Sequence, residues 1–335
     1  MKYQEILKTE IAITLVKETF IKQLLKELNL VQVSSPLAVI DGTGINDDLN
    51  GIERPVSFSI KALGEQKAVI VHSLAKWKRL RLKQLEIALN KGILTDMRAL
   101  RPDEDYTALH SIYVDQWDWE QLIEPAQRTL TYLKSTVTKI YEALKVVEKT
   151  VHQQYADIPA VLPDSITFLS AEELLLRYPS LTVKEREDSV AKEYGAVFII
   201  GIGNKLSNGE PHDGRAPDYD DWSTINEEGY AGLNGDIIVW HPVLKCSFEL
   251  SSMGVRVDKE ALVHQLKERG CSERTELLFH SMLLEGALPE SIGGGIGQSR
   301  VCMFMLKKSH IGEVQVSIWS DNERRRLAET GVILL

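Results

Sequence analysis

The sequence predicts an α+β fold in which helices flank an antiparallel β-sheet. Segments with the alternating apolar pattern of strands come in adjacent pairs, 93–100 with 109–119 and 237–240 with 243–250, instead of alternating with helices. Adjacent strand pairs are typical of an antiparallel sheet, whereas regular strand–helix alternation is typical of a parallel one. The 44% content of hydrophobic residues is enough to build a folded core and excludes an intrinsically disordered chain.

Helical periodicity places the main helices. A helix is predicted over residues 3–28, because its apolar residues recur every three or four positions. A second long amphipathic helix is predicted over 122–155, with Pro125 tolerated only in its first turn. Short helices are expected after the capping boxes at Ser170 and Thr182, each followed three residues later by a glutamate. The other predicted helices cover 73–90, 259–269, 273–285 and 298–307, and the other predicted strands cover 30–33, 56–60, 67–72, 196–200 and 314–319.

Two glycine-rich segments are predicted to be loops. The first runs from Gly42 to Gly51 and includes Asp47 and Asp48. The second covers 201–235, and a loop of that length in a compact domain is usually functional or disordered. Its aromatic residues favour a functional loop: they are Tyr219, Trp222 and Tyr230.

Charge, hydropathy and cysteine content exclude several classes of protein. The 335 residues include 39 Lys and Arg against 48 Asp and Glu, and the net charge of −9 argues against a protein held mainly by nucleic-acid phosphates. No apolar run approaches the roughly 20 residues of a membrane-spanning helix, and no signal-peptide pattern opens the chain. The 3 cysteines are odd in number and lack CxxC spacing, so we expect reduced thiols in a cytoplasmic protein: Cys246, Cys271 and Cys302.

Arg101 is the strongest local candidate for a binding residue. The acidic turn 103–105 follows it, and Gln116, Asp118 and Glu120 alternate along the next predicted strand, so that all three project from one face. A planar guanidinium beside that face suits the bidentate capture of a phosphate or a carboxylate. A surface hairpin with solvated charges is the alternative explanation.

A glycine run from Gly293 to Gly297 leads into a predicted helix that carries Arg300 in its first turn. Backbone without a Cβ, as at Gly294, lets a flat ring or an anion approach closely, and a helix N-terminus favours anions. The run is neither a dinucleotide-binding fingerprint nor a P-loop. Alone, it is equally compatible with a tight turn.

Two carboxylates on neighbouring predicted strands, Asp236 and Glu249, form a candidate magnesium site. Mg²⁺ prefers a few protein oxygens together with the phosphates of a nucleotide. Glu249 is followed by Leu250, Ser251 and Ser252, which extend the same segment. Two unconnected acids on sheet edges are the alternative.

Charged residues in and near the loops form the last candidate group. Asp47 lies in the first glycine loop, and Lys78 lies among other bases on a predicted helix. Arg215, Tyr219 and Asp220 combine a cation, an aromatic ring and an acid in the second loop, a mixture that suits a small zwitterionic ligand. Solvated surface positions explain the same pattern. No GxSxG, HExxH or CxxC motif is present, so hydrolysis by a serine triad or a zinc ion is not expected.

Taken in order, three of these segments resemble the three motifs of class II aminoacyl-tRNA synthetases. Residues 20–36 are similar to motif 1 with its proline, Pro36. Residues 101–118 are similar to motif 2 of the aspartyl branch, and residues 293–300 are similar to motif 3 with its terminal arginine. Three matches in the correct order are far more specific than any one of them.

The resemblance narrows to the ammonia-dependent, AMP-forming asparagine synthetase family, the aspartate–ammonia ligases. Residues 72–79, 215–224 and 232–236 carry this narrower resemblance. It implies a single synthetase-like catalytic domain over 1–335, without an anticodon-binding domain, that forms a homodimer. It also implies a reaction of L-aspartate, ATP and ammonia, with Mg²⁺, through a β-aspartyl-adenylate to L-asparagine, AMP and pyrophosphate. Neither a nucleic acid nor a membrane is an expected partner.

The same resemblance implies roles for individual residues. Arg101 would contact the α-phosphate of ATP, and Arg300 would contact the γ-phosphate or the adenine face. The rest of the ATP site would consist of Asp236, Glu249, Leu250 and Gly294, with Asp236 and Glu249 holding Mg²⁺. The predicted aspartate-binding residues are Lys78, Gln116, Asp118, Arg215, Tyr219, Asp220, Ser251 and Ser252. Asp47 and Asp220 are the candidates for binding ammonium or taking its proton, which completes a predicted catalytic set of Arg101, Arg300, Asp47, Lys78 and Asp220.

Free ammonia is the expected nitrogen donor. A glutamine-dependent synthetase needs a nucleophilic cysteine, typically directly after Met1, and residue 2 here is Lys. Two other functions stay open: an aspartyl- or asparaginyl-tRNA synthetase-like paralogue, and a non-catalytic adenylate-binding regulator. The acidic net charge and the short stretch before Pro36 argue against the first, and the presence of all the motif arginines and acids argues against the second.

Overall fold

The computed structural model describes residues 2–47, 49 and 53–335, so Asp48 and Gly51 of the first predicted loop lie outside the described residues. The helices of the described chain are α1 (Lys2–Glu27), α2 (Ala75–Gln84), α3 (Leu130–Gln154), α4 (Ala171–Arg177), α5 (Val183–Tyr194), α6 (Lys259–Glu268), α7 (Leu278–Leu284), α8 (Gln298–Met305) and α9 (Asp321–Glu329). The strands are β1 (Leu30–Val33), β2 (Ala38–Ile40), β3 (Ser57–Ile60), β4 (Gln66–Ile70), β5 (Gly92–Leu100), β6 (Tyr113–Leu122), β7 (Thr167–Ser170), β8 (Ala196–Ile200), β9 (Asn234–His241), β10 (Cys246–Val255) and β11 (Ser291–Gly297).

A mixed sheet of 8 strands, in the order β1-β5-β6-β11-β10-β9-β8-β7, organises the described chain. Its central strands, from β5 across to β8, are antiparallel throughout. The edge strands β1 and β7 are parallel to their neighbours. A second, three-stranded sheet has the order β2-β4-β3. The predicted antiparallel sheet is therefore confirmed for the centre, and both edges are parallel additions.

Helices α1, α3 and α8 pack on one face of the large sheet. Trp117 and Trp119 of β6 point into this layer, as do Ile237 and Val239 of β9, because residues at a spacing of two share a face. Phe20 of α1 meets Trp117 edge-to-face, with the ring centroids 4.8 Å apart. This layer is the main hydrophobic core. Its helices α1 and α3 correspond to the two long helices that the sequence predicts.

The opposite face carries helices in two groups. At one end, Val197 and Ile238 of the sheet pack with α4 and α5. At the other end, Leu80 of α2 packs with Leu262 of α6 and Phe279 of α7. The rest of this face, on β6, β10 and β11, carries the polar side chains that line the cavity described below.

Both predicted capping boxes are confirmed. The Ser170 hydroxyl accepts from the Glu173 backbone N–H at 3.0 Å, and the Glu173 carboxylate accepts from the Ser170 N–H at 2.7 Å. Thr182 and Glu185 make the same reciprocal pair at the start of α5. None of the helices that the structure describes has the length and hydropathy of a bilayer-spanning segment.

Three predicted helices have different bounds in the structure. Strand β6 continues to Leu122, and α3 begins only after its N-cap Thr129, so the helix predicted over 122–155 starts too early. The helix predicted over 73–90 ends at Gln84, since Glu86 and Asn90 adopt positive φ angles. The segment 273–285 divides into a 3-10 turn and α7.

Near the C-terminal part of the chain, one alternative is excluded and one prediction is wrong. The glycine run 293–297 is strand β11, hydrogen-bonded to β6 and β10, and not a turn. The strand predicted over 314–319 is absent from the described structure. In this segment the side chains of Gln315 and Ser317 form hydrogen bonds with Ser111. The apolar–polar alternation of the sequence does not reveal such side-chain bonds.

Candidate active site

A cavity of about 580 Å³ opens on the polar face of β6, β10 and β11. The loop after β5, the start of α2 and the loop around Arg215 complete its wall. A volume of this order is typical of small-molecule and cofactor sites. The site therefore lies where three antiparallel strands carry polar side chains on one face and core residues on the other.

Most of the predicted site residues line this cavity. The structure brings together Asp47, Lys78, Arg101, Gln116, Asp118, Arg215, Tyr219, Asp220, Glu249, Leu250, Ser252, Gly294 and Arg300. Asp236 and Ser251 are not part of the lining. Asp236 accepts a hydrogen bond from Arg215, which does line the cavity, and the Ser251 hydroxyl donates to the Gly295 carbonyl at 3.0 Å.

Lys78 and Asp118 form a buried ion pair in the cavity wall. The Lys78 ammonium donates to Asp118 Oδ1, and it donates to the Gly294 carbonyl at 2.8 Å. Burial lowers the pKa of Lys78, and the Asp118 carboxylate opposes that shift. Asp118 lines the cavity, and its Oδ2 is buried without a hydrogen-bond partner among the described residues, so the carboxylate retains an unused acceptor.

Arg256 is a buried cation that the sequence analysis does not select. Its guanidinium donates to Glu120, with Nη2 2.8 Å from Oε2, and it also donates to Asp220. Burial alone would raise the pKa of Glu120, but the charge and hydrogen bonds of Arg256, together with Lys78 and Ser291, lower it. A charged residue directly after the apolar end of β10 is the signal in the sequence that points to such a buried pair.

Arg215 joins the second predicted loop to the sheet. It donates to the Ser252 hydroxyl and to Asp236, and its Nε lies 3.7 Å from Asp220 Oδ2. Burial alone would lower the pKa of Arg215, but the Asp236 and Asp220 carboxylates raise it. Burial also raises the pKa of Asp236 to about 7, and repulsion from Glu249 adds to that shift.

The two arginines of the predicted ATP site lie on different parts of the wall. Arg101 donates to the His72 carbonyl at 3.3 Å, and its Nε is buried without a partner among the described residues. Arg300 donates to the Glu249 carbonyl at 3.2 Å and lies 2.8 Å from His110 Nε2. Burial and the nearby Arg300 lower the pKa of His110 to about 4, so this histidine is neutral and acts as the acceptor.

Asp47 is buried beside a second charge cluster that the sequence analysis misses. Its carboxylate accepts from the Ser73 hydroxyl at 2.9 Å, and burial raises its pKa. Behind it, Asp218 accepts from Lys76 at 2.8 Å and from His280 at 3.0 Å. These partners come from α2, α7 and the second loop, and no local spacing connects them.

The glycines of β11 leave room for the charged pairs. A Cβ at Gly293 would lie 1.9 Å from Glu120 Oε2 and 2.5 Å from Arg256 Nη2. A Cβ at Gly295 would lie 2.6 Å from Gln116 Oε1. Glycine is therefore needed here for close packing of neighbouring side chains and not for a turn.

Aminoacyl-tRNA synthetases are among the solved structures that are similar to this fold. The asparaginyl-tRNA synthetase of Entamoeba histolytica in complex with asparaginyl-adenylate superimposes with a TM-score of 0.66 and 12% identity, covering 92% of this chain and 66% of that one. The Pyrococcus horikoshii asparaginyl-tRNA synthetase, also complexed with asparaginyl-adenylate, gives 0.65 at 16% identity, covering 92% and 68%. These similarities show the fold, which is that of the class II aminoacyl-tRNA synthetases, and they confirm the predicted fold class.

Sequence comparison then gives the family. The family model described as aspartate-ammonia ligase matches residues 7–331. The aspartate–ammonia ligase of Parabacteroides distasonis is 56% identical over 327 residues, covering 98% of this chain and 95% of its own length. That of Clostridium perfringens is 55% identical with the same coverage, and that of Bacteroides thetaiotaomicron is 54% identical. The chain belongs to the aspartate–ammonia ligase family, as the motif resemblance implies.

Replacing Gly293 with alanine tests the packing of β11. We expect G293A to lower the free energy of unfolding by about 3 kcal/mol. The added methyl group would clash with the buried pair of Glu120 and Arg256, and a change of one side-chain rotamer would not relieve that clash. Gly209→Ala is the control, because that position is open although its φ is +86°, and it should cost only about 1 kcal/mol. Equal losses in urea unfolding would contradict the packing argument.

Proposed function

We propose that this enzyme joins ammonia to the β-carboxylate of L-aspartate, uses ATP, and releases L-asparagine, AMP and pyrophosphate. Membership of the aspartate–ammonia ligase family over nearly the whole chain supports this function. The observation that carries it is the cavity wall itself, where cations for phosphate and carboxylate groups alternate with acids for amino groups. Neither the tRNA synthetase-like paralogue nor the non-catalytic regulator is favoured by these findings.

Aspartate fits the part of the cavity around Lys78. The unpartnered Asp118 Oδ2 is an acceptor for the α-ammonium group of aspartate, and Gln116 on the same strand face offers a second one. Lys78 and Arg215 would bind its carboxylates. Both cations line the cavity, and each is paired with an acidic residue, Asp118 or Asp236. Tyr219, Ser252 and Asp220 would complete the contacts with aspartate, whereas Ser251 lies outside the cavity lining and would act only through the Gly295 carbonyl.

ATP would be activated at the arginines. A β-carboxylate oxygen of aspartate attacks the α-phosphorus, and the bond from that phosphorus to pyrophosphate breaks. Charge gathers on the phosphoryl oxygens, so fixed cations lower the barrier. The Arg101 guanidinium, which lines the cavity, would donate to the α-phosphate. Arg300 would contact the γ-phosphate or the adenine face, while the backbone at Leu250 and Gly294 lies against the nucleotide.

Asp236 and Glu249 are the carboxylates that would hold magnesium together with substrate phosphates, with Asp236 released from its ion pair with Arg215. They interact electrostatically across neighbouring strands, and Glu249 lines the cavity. Within the described part of the chain no group of three or more such ligands occurs, and a two-carboxylate site is what Mg²⁺ uses when phosphates supply its other oxygens. When bound, Mg²⁺ would neutralise part of the phosphate charge.

Ammonia would then attack the carbonyl carbon of the β-aspartyl-adenylate, and the bond from that carbon to AMP would break. An ammonium ion must lose a proton before its nitrogen can attack. Because burial raises the pKa of Asp47, this carboxylate is a better base near neutral pH than an exposed one. Asp220, which lies against Arg256 and Arg215, is the second candidate for contact with ammonium.

One assay tests the proposal. The enzyme is mixed with ATP, aspartate and ammonium, without tRNA, and asparagine and AMP are measured; we expect both products in equal amounts. Glutamine in place of ammonium should give neither. No asparagine with ammonium would refute the proposed reaction, activity with glutamine alone would refute the nitrogen donor, and aspartate transfer to tRNA would establish the paralogue instead.

Arg101→Ala should slow aspartate-dependent exchange of labelled pyrophosphate into ATP by roughly 100- to 1000-fold, as expected when a charge partner of the transition state is lost. Arg98→Ala is the control, because Arg98 lies on β5, three residues before Arg101, is exposed and is 3.4 Å from Asp96. Near-normal exchange in R101A would remove Arg101 from the proposed phosphate contacts.

Asp47→Asn should separate the two half-reactions. The amide can still accept from Leu49 N–H, which lies 3.0 Å from Asp47 Oδ1, so the loop is preserved. We expect pyrophosphate exchange to stay within about threefold of normal while asparagine formation falls roughly 100-fold, the range for loss of a general base. Asp41→Asn, at an exposed position of the same loop, is the control. Equal loss of both half-reactions would contradict the role in ammonia handling.

We also propose that the enzyme is a homodimer that uses α1 and the nearby sheet edge. Tyr3, Leu7 and Ile11 are exposed and spaced by four, so they form one apolar stripe on α1, and Val31 on the edge strand β1 is exposed as well. The double variant Leu7→Glu and Ile11→Glu should sediment as a monomer, whereas Leu176→Glu, exposed on α4, should not change the mass. A monomeric unaltered protein would refute the dimer.

A cytoplasmic location is the last part of the proposal. Cys246 and Cys302 form no disulfide bond in the structure. Unpaired thiols are typical of a reducing compartment. Recovery of the protein in the particulate or secreted fraction of its cells would argue against this location.

A further inference from the structure

Helix α8 begins without a cap of its own. Its N-cap residue is Gly297, which has no side chain, and its first turn contains no acidic residue. Helices α3, α4, α5 and α6 each begin with a local Thr, Ser or Asp whose side chain accepts a backbone N–H. The helix that carries Arg300 therefore needs an acceptor from elsewhere in the fold.

Asp115 of β6 supplies that acceptor. Its Oδ1 accepts from the Ser299 backbone N–H at 3.0 Å and from the Ser299 hydroxyl at 2.6 Å. A carboxylate at this end of a helix is also favoured by the helix dipole. Asp115 is buried, and Lys17 of α1 neutralises it, with Nζ 3.3 Å from Oδ2.

Further side chains hold the same turn. Gln315 donates to the Ser299 hydroxyl at 2.9 Å, and Ser111 donates to Gln315 at 2.6 Å. Gln298, the first residue of α8, donates to Asp96 and to the Gln116 carbonyl. The two residues before Arg300 are thus attached to β5, β6 and the segment after α8, and Arg300 is the next side chain to reach the cavity.

We propose that Asp115 is a positioning residue for Arg300. By capping α8 from the neighbouring strand, it places the guanidinium between His110 and the Glu249 carbonyl, where it meets the nucleotide. Lys17 is the counter-ion that allows this carboxylate to be buried in its charged form. The effect on catalysis rests on the proposed role of Arg300 in binding ATP.

The test is a double-mutant cycle on the KM for ATP. Asp115→Ala should raise the KM for ATP about tenfold, the size of a moderate coupling between neighbouring groups, and should change the KM for ammonium much less. Asp115→Asn should restore most of the affinity, because the amide oxygen still accepts from Ser299. In an Arg300→Ala background, Asp115→Ala should change the KM for ATP less than twofold, since there is no guanidinium left to place.

Asp258→Ala is the matched control. Asp258 also caps a helix with one oxygen, 2.8 Å from the Ala261 N–H, and pairs with a cation, Arg128, through the other at 3.1 Å. Its loss should lower stability by a similar amount without raising the KM for ATP. Equal KM effects in the Arg300 and Arg300→Ala backgrounds, or a KM rise with Asp258→Ala, would overturn the inference. Absence of any asparagine formation by the unaltered enzyme would refute the proposed reaction instead, and nucleotide binding measured by calorimetry would still test Asp115.

Discussion

The buried ion pair between Arg256 and Glu120 is the interaction on which the cavity depends. A buried charge without a partner is strongly destabilising, so each group requires the other once β6 is packed in the centre of the sheet. Arg256 also binds Asp220, which in turn lies beside Arg215. The long loop before β9 is therefore attached to the sheet by charge, and this brings its predicted ligand residues into the cavity.

The same pair explains the glycines of β11. Glu120 and Arg256 occupy the space where a side chain at Gly293 would otherwise lie. Strand β11 remains hydrogen-bonded between β6 and β10. Because its glycines have no side chains, its backbone forms part of the cavity surface. The glycine run, for which the sequence alone also allows a tight turn, is thus a strand, and the helix that follows it is capped by Asp115.

The strand alternation in β6 separates the two functions of the sheet. Trp117 and Trp119 enter the core under α1, while Gln116 and Asp118 line the cavity and Glu120 pairs with Arg256 beside it. The ten residues of β6 therefore contribute to both the core and the site. The energy of burying the aromatic rings stabilises the strand that presents the charges, so a rigid support lies directly beneath the groups that must hold a substrate in place.

Patterns of period and spacing determined much of this protein before any tertiary contact was considered. They predicted both long helices, the paired central strands and the two capping boxes, and the resemblance of the ordered motifs to a known family selected site residues of which most line the cavity. Tertiary structure alone decided the parallel edges of the sheet, the strand conformation of the glycine run and the irregular path of 314–319. It also decided the partners of Arg256, Asp218 and Asp115, since each pairs with residues far away in the chain. The physical reason is that periodicity records which face of an element is buried, whereas the pairing of a buried charge is set by which distant elements meet there.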